Sequence, residues 1–134
     1  MADNLPWQPL LREALAVLAL RAEEQVRVNG PGCVACDLLN DFDNARRVAV
    51  GNAPEKLSDE QRTLLKTIDN IMESMQAQDY ECFNNEVLHR PVWQRLRELA
   101  AEGLSIFGWP TTAVAPFVEV EPGVWRRSPD NAEP

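Results

Sequence analysis

Cys33-Val34-Ala35-Cys36 is the stretch of this chain whose residue types and spacing can do chemistry. Two thiols two residues apart can close a disulfide or share a metal ion, and at the start of a helix the dipole favours the thiolate. A helix beginning near Cys33 turns about 100° per residue, which groups Ala35, Leu38, Phe42 and Ala45 on one face. Both cysteines then point roughly the opposite way, so they are not core fillers, and both are expected to react faster than Cys82. A thioredoxin-like use would place the motif after a strand in a βαβ pattern, which the chain lacks.

Cys82 and His89 can extend the pair to Cys33, Cys36, Cys82 and His89, a donor set that a structural zinc ion accepts. The six residues between Cys82 and His89 exceed the usual ligand spacing, so four unrelated side chains are the competing reading. Glu86-Val87-Leu88-His89 has the Glu-x-x-His form of di-iron bundles, but such a centre needs two of these motifs and the chain has a single histidine. Asp37, Asp41 and Asp43 lack the glycine and glutamate register of a calcium loop. They read as a solvated face, with Asp43 paired to Arg46 and Arg47 along the helix. No glycine-rich phosphate loop or nucleophile elbow is present, and nothing argues for catalysis.

The elements that must position these residues are helical. Between Ser58 and Gln78, the residues Leu64, Leu65, Ile68, Ile71, Met72 and Met75 recur at spacings of three and four. Ser58 and Gln61 form a capping box, and Asp59 and Glu60 suit the positive end of the helix dipole. A helix over about 8–28 is apolar almost all round at Ala14–Leu20, and Asn29-Gly30-Pro31-Gly32 stops it. A second helix spans about 33–48. Pro91 opens another over about 91–107, with Trp93, Leu96, Ala100, Leu104 and Phe107 in its stripe. Residues 78–88 read as a short helix or a packed loop. After Trp109-Pro110 the period becomes two, and Pro122-Gly123 fits a type II turn.

These patterns predict a single all-α domain over 1–134. It is an antiparallel helical bundle of four to five helices, with a C-terminal β-hairpin or extended arm over 109–127 packed on it. Residues 1–7 and 128–134 are expected to be flexible ends. An apolar content of 45% is enough for a core without disulfides or a metal. The net charge of −8, with no basic patch beyond Arg46-Arg47 and Arg126-Arg127, argues against nucleic acid. The apolar run Ala14–Leu20 is too short to span a membrane. Three cysteines and no secretory signal point to a reducing cytoplasm.

The leading functional reading is a small acidic binding protein without catalytic activity or cofactor. Its partner would be a protein, a basic one suiting the charge, in the manner of an immunity protein or antitoxin. A thiol-redox or zinc protein using Cys33 and Cys36 is the second reading, and a helical-bundle enzyme or ligand pocket the third. The surplus apolar surface of the first helix predicts a homodimer, with Leu15, Leu18, Trp7, Trp109 and Trp125 as interface residues. The alternative is that residues 114–125 fold back over that helix.

Overall fold

In the computed structural model, residues 7–29, 32–52, 54–110 and 118–126 are described. The chain is mostly helical. Among the described residues five α-helices run in order: α1 Trp7–Leu18, α2 Ala22–Asn29, α3 Val34–Asn52, α4 Asp59–Ser74 and α5 Pro91–Phe107. The strands β1 Val118–Glu121 and β2 Val124–Arg126 follow. No helix among the described residues is long and apolar enough to cross a membrane. Helix α1 packs against α3 and α5, and α5 also packs against α4, so the core lies where these four helices meet.

The stripes read from the sequence are the buried faces over most of their length; the helix read over Ser58–Gln78 ends at Ser74, and Ile71, Met72 and Phe107 at the stripe ends are half-buried. Ala35, Leu38, Phe42, Ala45 and Ala49 of α3 are buried, as are Leu64, Leu65 and Ile68 of α4 and Trp93, Leu96, Ala100 and Leu104 of α5. The capping box of α4 is closed: the Gln61 amide donates to Ser58 Oγ at 3.0 Å, and the Ser58 amide donates to Gln61 Oε1 at 2.8 Å. Helix α5 ends at Gly108, whose φ of 75° makes the left-handed turn that lets its amide reach the carbonyls of Leu104 and Ser105.

Three expectations need correction. The helix expected over 8–28 breaks at Ala19–Arg21 into α1 and α2. Breaking it removes the helical donors of the Val17 and Leu18 carbonyls; the Leu20 amide reaches Val17 O at 3.2 Å, and the fully buried Gln25 serves both carbonyls. Its Nε2 donates to Val17 O at 3.2 Å and to Leu18 O at 2.9 Å. Trp7, expected in a flexible end, begins α1 and is buried in the core; the remaining end residues lie outside the described ones. The hairpin forms, with Val118 opposite Arg126 and Glu119 opposite Trp125, but all four residues of β1 are exposed rather than packed on the helices.

The motive for a dimer changes as well. Leu15 and Leu18 have 0% exposure and Trp7 8% within one chain. The all-round apolar character of α1 is the mark of a helix central to its own fold, enclosed chiefly by α3 and α5. Trp109 is half-buried and stacks on Phe107, with ring centroids 4.5 Å apart. The side chain of Trp125 lies outside the described residues.

Candidate metal centre

Cys33 immediately precedes α3, and its carbonyl accepts the first helical hydrogen bond, from the Asp37 amide at 2.9 Å. Cys36 stands one turn on, at the positive end of the dipole. Both are half-buried, because the opposite face of α3 faces the core.

The third thiol comes from the segment that the sequence left ambiguous. Residues 77–90 form two short 3-10 turns, Ala77–Tyr80 and Asn85–His89, with Cys82 in the loop between them. The loop is anchored at both ends. Trp93 Nε1 donates to Asp79 O at 2.7 Å, and Arg90 Nε meets Asp79 Oδ1 at 2.9 Å. On the other side Val87 and Leu88 are buried, their turn packs on α3, and Arg97 donates to Leu88 O at 2.8 Å. Asn84 ties the middle together, donating to Glu81 Oε1 at 2.8 Å and accepting from the Glu86 amide at 3.3 Å.

At the loop's tip Phe83 takes a φ of 62° with its side chain 80% exposed. A bulky side chain in the left-handed region costs about 1–2 kcal/mol, and the ring's packing does not offset it. The left-handed turn adjoins Cys82, whose Sγ lies 3.5 Å from Cys36 Sγ, and the Phe83 amide favours the Cys33 anion.

The result is a triad in which the sulfurs of Cys33, Cys36 and Cys82 all lie within 4.8 Å of one another. A tetrahedral zinc site with Zn–S bonds of about 2.3 Å has sulfur–sulfur edges of about 3.8 Å, so the thiols already stand near coordination spacing. The cluster holds its charge unequally. Burial opposes a Cys33 thiolate, but hydrogen bonds from the Cys82 and Cys36 thiols and from the Cys36 and Phe83 amides outweigh it and hold Cys33 below the ordinary value. Cys36 is pushed up to about 12, first by its hydrogen bond to Cys33 and then by burial. The hydrogen bond to Cys33 also raises Cys82. Cys36 has a further acceptor in the Tyr80 carbonyl, at 3.8 Å. One thiolate served by two thiol donors is the arrangement these shifts describe.

Of the four ligands expected from the sequence, the structure therefore brings three together. His89 does not join them. It is exposed at the end of its turn, where the burial of Val87 and Leu88 fixes the backbone and Arg90 caps α5. The expectation that Cys33 and Cys36 both react faster than Cys82 is also revised: Cys33 stabilises its anion at the expense of the other two, and Cys82 is the exposed one. The Asp43 pairs appear as read, with Arg46 at 3.0 Å and Arg47 at 3.1 Å, and Arg46 reaches on to Asp69 of α4 at 3.4 Å. Two contributors carried no periodic signal: the Phe83 amide and the Tyr80 carbonyl are backbone groups, which nearly every residue type supplies. Comparison with protein-family models, curated proteins and solved structures returns no match for this chain.

Proposed function

We propose that this protein binds a thiophilic ion through Cys33, Cys36 and Cys82. The observation that carries the reading is the convergence of three thiols from two segments 46 residues apart onto one point of the surface. Such an ion links the start of α3 to the Cys82 loop. It is not needed to build the core, which is closed by apolar packing without it. The overall acidity that suggested a basic protein partner singles out no residues, whereas the sulfur cluster names three.

Titration of the reduced protein with cobalt(II) tests this. Thiolate-to-cobalt charge-transfer bands should saturate at one ion per chain. They should be lost or strongly weakened in Cys33→Ser, Cys36→Ser and Cys82→Ser, and persist in His89→Ala. A spectrum without those bands, or unchanged by all three serine variants, refutes the reading.

A second reading rests on the 3.5 Å approach of Cys36 Sγ to Cys82 Sγ. Two thiols so placed can be oxidised to a disulfide by a peroxide, which takes up both electrons and both thiol protons as its O–O bond breaks. Peptide mapping after mild peroxide treatment distinguishes this from an inert pair: a Cys36–Cys82 crosslink supports it, and three free thiols reject it.

A further inference from the structure

The sulfur triad is a three-donor site. Among the described residues, the group of histidine, cysteine and carboxylate donors within 4.8 Å consists of Cys33, Cys36 and Cys82 alone, and the chain's single histidine is His89, exposed at the end of its turn. A tetrahedral divalent ion finds three protein ligands here and must acquire a fourth from elsewhere. An element whose valence is satisfied by three sulfurs needs nothing more.

Charge leads to the same choice. Zinc(II) on three thiolates leaves one net negative charge, and copper(I) leaves two. The ionisable side chains adjacent to the cysteines in sequence are Asp37 and Glu81, both acidic, and the Asp37 carboxylate acts unfavourably on a Cys82 anion. Residual negative charge at a partly buried point that Asp37 already opposes is costly. Trivalent arsenic on three thiolates is neutral.

Resting on the tri-thiol reading above, we propose that the centre is selective for a trivalent metalloid hydroxide of the arsenite class, As(OH)₃, over zinc. The exchange balances without an oxidant or reductant. Three As–O bonds break and three As–S bonds form, and each hydroxide leaves as water with the proton of the thiol that replaces it. Arsenic stays trivalent and no net charge is created. Thiolate sulfur is the soft donor such a centre prefers, and the exposure of Cys82 opens a path from solvent.

The test uses the full reduced chain and sodium arsenite alone. Native mass spectrometry should show the gain of one arsenic atom with the loss of three hydrogens, and a thiol reagent should find three fewer reactive thiols per chain. Cys82→Ser leaves the Cys33/Cys36 pair in place and replaces an exposed side chain, so it keeps the fold while losing at least tenfold in arsenite affinity. Arsenite should also abolish the cobalt charge-transfer bands at near-stoichiometric amounts. Cobalt bands that survive excess arsenite overturn the metalloid selectivity while leaving the tri-thiol centre standing. Arsenite affinity unchanged in Cys82→Ser means a two-thiol adduct and overturns the selectivity as well. Binding of neither ion removes both proposals.

Discussion

Where α5 packs against α1 and α4, a Cβ added to Gly103 would lie 2.9 Å from Leu64 Cδ1 and 3.4 Å from Leu15 Cδ1. Where Cys82 meets α3, Phe83 leaves its ring in water and holds a left-handed backbone beside the sulfur cluster. The first region is specified by volume and is indifferent to which apolar atoms fill it, within limits. The second is specified by atom type: sulfur, amide and carbonyl must be where they are, and side-chain bulk matters little. Regions of the first kind hold a fold together, and regions of the second kind give it chemistry.

The widest separation between the two should appear in a pair of truncations. Phe42→Ala, at a fully buried position, should cost about 3–5 kcal/mol from lost transfer energy and the cavity left behind. Cys82→Ser, in metal-free protein, should shift the urea midpoint by the equivalent of about 0.5 kcal/mol or less, as surface changes do. Comparable losses would mean that the corner is part of the core.

Gln25 tests whether a polar group inside the volume-specified region follows the atom-type rule. Gln25→Leu keeps the bulk but strands the Leu18 carbonyl and takes one of two donors from Val17 O, and should cost about 1–3 kcal/mol in urea unfolding. A neutral result would show that the break between α1 and α2 is satisfied another way.

A smaller effect of opposite sign is expected at the loop. Phe83→Gly removes the left-handed penalty and loses almost no packing, so it should raise stability by up to about 1 kcal/mol, part of the gain being offset by the freer unfolded chain. A loss of stability would show that the exposed ring is contributing.

The last expected outcome moves stability hardly at all. The thiolate is the reactive form, so the lowered Cys33 thiol should be alkylated at a pH below the ordinary cysteine range, while Cys36, pushed up to about 12, should be the last of the three to react. Peptide mapping of initial iodoacetamide labelling against pH reads the order directly. Labelling of Cys36 before Cys33 would place the shared charge on the wrong sulfur.

The sequence by itself determined the helices and their inward faces. Periodicity reports which side of an element must leave water; the stripe of α3 is buried as spaced, and those of α4 and α5 are buried except at their C-terminal ends, where Ile71, Met72 and Phe107 are half-buried. Ser58 and Gln61 were legible because a capping box is a local contact between residues three apart. It also placed Cys33 and Cys36 together off the apolar face of α3. What it left to tertiary structure was every contact without a period. The break after Leu18 depends on a buried amide seven and eight residues away, and a lone Gln25 in a charged run looks like surface. The choice of Cys82 over His89 depends on how two 3-10 turns are pinned by Trp93, Arg90, Val87 and Leu88. A sulfur 46 residues along the chain comes within 3.5 Å of Cys36 only because that packing, and the left-handed turn at Phe83, closes the distance.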